Sequence, residues 1–80
     1  MFGQYPVPES SYAVKVELTP SHLLVYTRDG RIIQAPLAWF PWLETASLEQ
    51  RQDVTVWGFE LFWNALDDGI SMQTLLFGRP

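Results

Sequence analysis

The alternation of apolar and polar residues predicts that strands open the folded part of the chain. Residues 13–18 alternate between the two kinds of side chain, which is the period of a strand with one buried face. The apolar members are Val14, Val16 and Leu18. Apolar runs at 22–27 and 31–35 flank Asp29-Gly30, a strong hairpin signal because glycine accepts a positive φ. The pattern predicts three consecutive strands that end at Pro36, since proline has no amide hydrogen to donate to a ladder.

Helical spacing follows in residues 37–51, which predict one bent helix or two short ones. The apolar positions that carry this pattern are Leu37, Phe40, Leu43 and Leu48. Ser47 stands three residues before Gln50, the arrangement of a capping box that satisfies free amides at a helix start. Pro41 suits the first turn of a helix, where the backbone amide has no partner inside the helix.

A second hairpin and a closing helix complete the predicted elements. β-Branched and aromatic runs at 54–57 and 61–64 surround Gly58, and Asp67-Asp68-Gly69 is predicted to form the turn that follows. Ser71 or Asp68 is predicted to cap a short helix that ends at Gly78. The predicted fold class is α+β, in which a small antiparallel sheet with the order β-β-β-α-β-β-α is covered by short helices.

Length and composition indicate one domain. The chain has 80 residues, of which 48% are hydrophobic and 15% aromatic, and this is enough for one small core. Residues 1–12 contain Pro6, Pro8 and several polar residues, which indicate an N-terminal extended arm. The single domain is predicted to cover residues 13–80.

The available side chains do not form any familiar catalytic, cofactor-binding or metal-binding pattern. The chain has no cysteine and one histidine, His22, so neither thiolates nor a cluster of imidazoles can hold a metal ion. Ser21 and His22 lack the nucleophile elbow of a hydrolase, and Asp67 and Asp68 occupy positions typical of turn and capping residues. We therefore predict a protein that is not an enzyme, with no catalytic, cofactor-binding or metal-binding residues.

Charge and hydropathy bear on location and partners. The formal net charge of −4 favours solubility and opposes affinity for phosphate backbones. No stretch approaches the roughly 18 apolar residues of a membrane span, and the N-terminus does not resemble a secretion signal, so we expect a cytoplasmic location without membrane contact. Lys15, Arg28 and Arg31 form a candidate basic patch if the first strand pairs with the hairpin. Solvent-facing charges of this kind also keep sheets soluble.

Several blocks of residues occur in the order typical of one known family. They are Asp29-Gly30-Arg31, Pro36-Leu37-Ala38-Trp39-Phe40-Pro41, Leu43, Ala46, Glu49-Gln50-Arg51, Gly58, Leu61, Trp63, Leu66-Asp67, Ile70-Ser71, Leu75-Leu76 and Gly78. In these blocks the chain resembles the small bacterial proteins catalogued as domain of unknown function 2442. The resemblance implies an α+β fold and no established catalytic activity. It also connects the chain with two genomic arrangements. Some members lie beside small toxin-like proteins and look like antitoxins, whereas others are joined to a helix-turn-helix domain.

Four tryptophans are many for so small a core, because a large aromatic side chain buries roughly 150–250 Å². Trp39 and Trp63 belong to the family pattern and are predicted to lie in the core. Trp42 and Trp57 depart from it, since relatives favour basic, polar or small residues there. Together with Phe59, these two tryptophans form a candidate interface, because aromatic residues are enriched at the centres of protein interfaces.

Two hypotheses about function remain open at this point. The first is a non-enzymatic protein-interaction module that forms homo-oligomers and binds a protein partner, with a neighbouring toxin as the candidate partner. The second is a nucleic-acid-binding or transcription-regulatory accessory protein that uses the face with Lys15, Arg28 and Arg31. The acidic net charge favours the first hypothesis.

Overall fold

A computed structural model of the chain describes residues 7–78, so residues 1–6 of the predicted arm and residues 79–80 lie outside the described residues. The described strands are β1 (Ala13–Leu18), β2 (His22–Thr27), β3 (Ile32–Pro36), β4 (Val54–Val56), β5 (Glu60–Trp63) and β6 (Asp68–Ser71). The helices are α1 (Pro41–Glu44), α2 (Leu48–Gln52) and α3 (Met72–Phe77). Three 3-10 turns lie at Glu9–Ser11, Leu37–Trp39 and Asn64–Leu66.

The first sheet is an antiparallel meander in the order β1-β2-β3. The predicted hairpin between β2 and β3 is confirmed, and Gly30 has the expected positive φ of 88°. One detail of β1 was predicted wrongly, because the register shifts between Ala13 and Lys15 and makes Val14 the extra residue of a bulge. Ala13 therefore takes the buried position at the start of the strand, and Val14 is exposed.

The second sheet has the order β4-β5-β6 and is also antiparallel. The predicted hairpin around Gly58 is confirmed, but the predicted turn at residues 67–69 is wrong in part. Asp67 alone has a left-handed backbone, with a φ of 50°, whereas Asp68 and Gly69 already belong to β6. The six strands therefore divide between two sheets, and the α+β class is confirmed.

The helices begin where the capping residues predict. Ser47 caps α2, because its Oγ accepts a hydrogen bond from the Gln50 amide at 3.1 Å while its own amide donates to Gln50 Oε1 at 3.0 Å. Pro41 is the first residue of α1, as predicted. Ser71, one of the two predicted candidates, caps α3 by accepting from the Thr74 amide at 3.2 Å.

The inner faces of both sheets and the helices share one core. Its buried members are Ala13, Leu23, Val25, Ala35, Leu37, Phe40, Leu43, Leu61, Trp63, Ile70, Met72 and Leu75. Trp63 is fully buried, as predicted, and its indole Nε1 donates to the backbone oxygen of Arg51 at 2.9 Å, so it fastens α2 to β5. Trp39 is half-buried against the same core.

Residues just before β1 also contact the domain. Ser11 is buried, and its Oγ accepts a hydrogen bond from Arg31 Nη2 at 2.5 Å. The Tyr12 backbone oxygen accepts from the Arg28 amide at 3.0 Å. Val7 packs against the core cluster. This segment therefore lies along the tip of the hairpin between β2 and β3.

Candidate functional site

The turn between β4 and β5 presents two large aromatic side chains to solvent. Trp57 donates its backbone amide to Glu60 at 2.8 Å, and the Phe59 amide donates to the Trp57 carbonyl at 2.9 Å. Between them, Gly58 has a φ of 77°, and a Cβ there would come within 3.1 Å of the Tyr12 ring. Only glycine fits both the backbone conformation and the close approach of Tyr12. Trp57 stays 53% exposed and Phe59 55% exposed.

Neighbouring side chains hold these aromatics in place. Trp57 stacks on Phe62 with ring centroids 5.8 Å apart and planes 2° apart, and Phe59 meets Tyr12 edge to face at 6.3 Å. Val14, pushed outwards by the bulge, lines the same shallow groove as Trp57 and Phe59. We call this surface the aromatic patch, and it consists of Tyr12, Val14, Trp57, Phe59 and Phe62.

The sequence indicated Trp57 and Phe59 but missed the other members of the aromatic patch. Phe62 lies between Leu61 and Trp63, which face the core, so strand alternation alone places Phe62 on the outer face. Gly69 faces Phe62 across the ladder, and a Cβ at Gly69 would lie 3.2 Å from the Phe62 ring. That alternation was the available signal. The bulge that exposes Val14 had no comparable signal.

Trp42, the third predicted interface residue, lies elsewhere. It is half-buried on α1, where its ring meets Trp63 edge to face at 5.7 Å. Successive residues of a strand point to opposite faces, so Trp63 and Phe62 mark the two sides of the second sheet. The structure therefore brings Trp57 and Phe59 together and places Trp42 on the opposite side. An interface role for Trp42 stays a prediction.

Lys15, the first member of the candidate basic patch, is paired with an acidic residue on its own strand. Its Nζ lies 3.3 Å from Glu17 Oε2 and 5.1 Å from the centroid of the Tyr26 ring. The Tyr26 hydroxyl donates to Glu17 at 2.6 Å. This bond, followed by the interaction with Lys15, lowers the pKa of Glu17, and the same bond raises the pKa of Tyr26.

Arg28 and Arg31, at the tip of the hairpin, are paired in the same way. Arg28 lies 3.9 Å from Glu9 and over the Tyr12 ring, whereas Arg31 Nε lies 2.9 Å from Asp29 Oδ2. The hydrogen bond from Arg31, followed by that from the Thr27 hydroxyl, holds the pKa of Asp29 below its ordinary value of 3.8. Each cation of the candidate patch therefore has a carboxylate beside it, which reduces its attraction for phosphate.

Comparison with known families assigns the chain to a family. The model of the family described as "Protein of unknown function (DUF2442)" matches residues 13–80, which is most of the chain. The chain belongs to the DUF2442 family. No curated protein and no solved structure matches it. None of the helices that the structure describes in this DUF2442 protein has the length and apolar character needed to cross a membrane.

Ser21, His22 and Asp68 of this DUF2442 protein lie in turns or at the strand ends beside them. Ser21 Oγ and His22 Nδ1 are 2.8 Å apart where the chain turns from β1 into β2. Asp68 Oδ1 accepts from the Gly69 amide at 2.8 Å. Within residues 7–78 no three His, Cys, Asp or Glu side chains are grouped as a metal site. This arrangement gives His22 a hydrogen-bond partner and Asp68 a role in local backbone structure.

Proposed function

We propose that this DUF2442 protein is a non-enzymatic interaction module that forms homo-oligomers and binds a protein partner through the aromatic patch. The observation that supports this is the exposure of Trp57 and Phe59 on a turn that Gly58 and Tyr12 hold in one conformation. Exposed aromatic groups on a rigid support lose little conformational entropy when they are buried, and they dominate the binding energy of many interfaces.

The experiment is a measurement of molecular mass in solution over a range of protein concentrations. Trp57→Ala combined with Phe59→Ala should weaken self-association by about tenfold or more, because central aromatic residues commonly contribute that much. Ile32→Ala is the matched control, since Ile32 is similarly exposed but lies on the first sheet. A wild-type protein that stays monomeric at every concentration would contradict the oligomeric part of the proposal.

The proposed partner is a toxin encoded beside the gene, for which this chain acts as an antitoxin. The support is the family resemblance described above, together with an acidic net charge suited to a basic partner. Co-expression with the neighbouring reading frame tests it. Wild type should rescue growth, Ile32→Ala should rescue equally, and the variant with both Trp57→Ala and Phe59→Ala should not. Equal rescue by the double variant would show that the aromatic patch is not the binding surface.

Trp42 is tested separately because it lies on the other side of the second sheet. Trp42→Ala removes an edge-to-face contact with Trp63, so its folding must be checked by circular dichroism before binding is compared. If folded Trp42→Ala still binds the partner as wild type does, the interface does not include Trp42. The nucleic-acid alternative is less well supported, because Lys15, Arg28 and Arg31 are each paired with a carboxylate.

A further inference from the structure

The two sheets meet edge to edge at one end of β1 and leave a groove at the other. The Ala13 amide donates to the Gly58 carbonyl at 2.7 Å, which joins the start of β1 to the turn that follows β4. In the described part of the chain, β1 pairs only with β2 and β4 only with β5. Beyond the Ala13 contact, a groove of about 730 Å³ lies between the second half of β1, α2 and the start of β4.

Both strands that border the groove direct unused backbone groups towards it. Thr19 donates its amide to the His22 carbonyl, so these two residues form a hydrogen-bonded pair of the ladder. Hydrogen-bonded and non-hydrogen-bonded pairs alternate along an antiparallel ladder. Lys15 and Glu17 therefore bond to β2, and the backbone groups of Val16 and Leu18 point away from β2. The same alternation turns the backbone of Val54 away from β5. An unpaired strand edge of this kind can accept another strand.

The groove is lined by five apolar residues and by Glu17, Thr19, Arg51 and Gln52. Glu17 is paired with Lys15, whereas Arg51 has no salt-bridge partner among residues 7–78. Leu48 on α2 is 72% exposed, and half-buried Val16, Leu18 and Val54 lie beside it. Arg51 also lines the groove, and its Nε is buried without a hydrogen-bond partner among the described residues. Its Nη2 donates to the Glu44 carbonyl. A buried donor without an acceptor is costly, and a carboxylate is the strongest acceptor for a guanidinium.

We propose that this groove binds an extended peptide segment of a partner protein that carries an acidic residue. The segment adds a strand to the open edge of β1, places an apolar side chain on Leu48 and sets its carboxylate against the Arg51 guanidinium. Backbone pairing provides affinity in this mode, and alternate side chains provide specificity. The proposal goes beyond the function proposed above, because the groove and the aromatic patch are separate surfaces.

Charge argues for a different chain as the occupant rather than for a second copy of this one. A two-fold dimer presents the same surface from both subunits. Glu17, the other charged residue of the groove, is already paired with Lys15, so two copies joined there would bring together two Arg51 side chains that lack a salt-bridge partner among the described residues. An acidic segment instead supplies a carboxylate for Arg51. The peptide is therefore the occupant that the electrostatics favour.

The experiment titrates the whole protein with a panel of synthetic peptides and follows backbone amide signals by NMR. The peptides alternate valine and threonine and carry one aspartate at each central position in turn. At least one should shift the amides of Val16 and Leu18 most strongly. Replacing its aspartate by asparagine should weaken binding by about tenfold, because a charge-assisted hydrogen bond is lost. Methylating the peptide amides that face β1 should abolish binding.

Two protein variants locate the site. Leu48→Glu changes an exposed side chain and should weaken peptide binding by about tenfold or more, through lost apolar contact and repulsion of the aspartate. Ile32→Glu, on the outer face of the first sheet, should bind the peptide as wild type does. The variant with both Trp57→Ala and Phe59→Ala should also bind normally, which separates this proposal from the one concerning the aromatic patch.

Three results would overturn the proposal. The first is that no peptide of the panel shifts the Val16 and Leu18 amides. The second is binding that Leu48→Glu leaves unchanged. The third is a wild-type dimer that Leu48→Glu converts to a monomer, because the groove would then be occupied by a second copy of the chain.

Discussion

Replacing Trp63 by phenylalanine should remove a large share of the stability of the domain. Trp63 is fully buried, and its indole nitrogen donates to the carbonyl of Arg51, which is the penultimate residue of α2. That carbonyl lies in the final turn, where the helix itself offers no donor. Phenylalanine removes the donor, leaves the carbonyl unsatisfied and opens a cavity where the second ring stood.

The expected loss can be worked from these two effects. An unsatisfied buried carbonyl costs about 1–3 kcal/mol, and the cavity left by the smaller ring adds about 1–2 kcal/mol. We therefore expect the free energy of unfolding to fall by about 2–5 kcal/mol, from a total of about 4–12 kcal/mol for a domain of this size. With a urea dependence of about 1 kcal/mol per molar, the midpoint should fall by about 2 M or more.

Urea unfolding followed by far-ultraviolet circular dichroism measures this change at one fixed protein concentration. Trp57→Phe is the matched control, because Trp57 is largely exposed and phenylalanine can keep the stack on Phe62; its effect should stay within about 0.5 kcal/mol. Benzothienylalanine at position 63 keeps the two-ring shape without the N–H group and isolates the hydrogen bond. If Trp63→Phe destabilises no more than Trp57→Phe, the attachment of α2 through Trp63 is not important for stability.

Three further predictions concern a close contact, a helix cap and an acid-sensitive pair. Gly69→Ala should lower the unfolding free energy by about 1–3 kcal/mol in urea unfolding, because a Cβ there would lie 2.8 Å from the Leu61 carbonyl oxygen. Ser47→Ala should lower the melting temperature through a loss of about 1 kcal/mol, because it removes the acceptor of the capping box. The hydrogen bond from Arg31 lowers the pKa of Asp29 in the folded protein. Ionised Asp29 therefore contributes fully to the unfolding free energy at pH values above its ordinary pKa of 3.8, and this contribution disappears as the pH falls through the lower pKa of the folded protein. Asp29→Asn should therefore reduce the dependence of stability on pH in that acidic range, as measured by urea unfolding at several pH values.

Each of these predictions has its own control or contradicting result. Unchanged stability in Gly69→Ala would mean that β5 and β6 can separate at no cost. Ser10→Ala, at an exposed serine outside the helix cap, should leave the melting temperature within about 1 °C of wild type. If Ser10→Ala and Ser47→Ala lowered the melting temperature equally, the capping box would not be the cause. Glu49→Gln, at an exposed carboxylate on α2, should keep the acid dependence that Asp29→Asn reduces.

Local signals in the sequence predicted local structure well. The hairpin at Asp29-Gly30, the cap at Ser47 and the end of α3 at Gly78 all depend on the conformational or hydrogen-bonding properties of one or two residues, and all are confirmed. β6 was missed because aspartate and glycine are poor strand formers, and the close approach of the Leu61 carbonyl oxygen and the Phe62 ring is what suits a glycine to position 69. That contact spans two strands and leaves no local signal.

The candidate surfaces depended more on non-local contacts. Trp57 was singled out because four tryptophans are many for this core and because it departs from the family pattern, and the structure exposes both Trp57 and Phe59. The position of Trp42 on the other side of the second sheet depends on how α1 packs against Trp63, which the sequence pattern did not reveal. The groove beside Leu48 was missed because it exists only where two edge strands from distant parts of the chain meet.

Each sheet is built from strands that follow one another along the chain, and this order affects how the chain folds. Every ladder closes over a short loop, so little chain entropy is lost before its first hydrogen bonds form. The segments 13–36 and 54–71 should each nucleate independently and then dock through the core. Two fragments cleaved in the connection between α1 and α2 should therefore reassociate into the native fold when mixed.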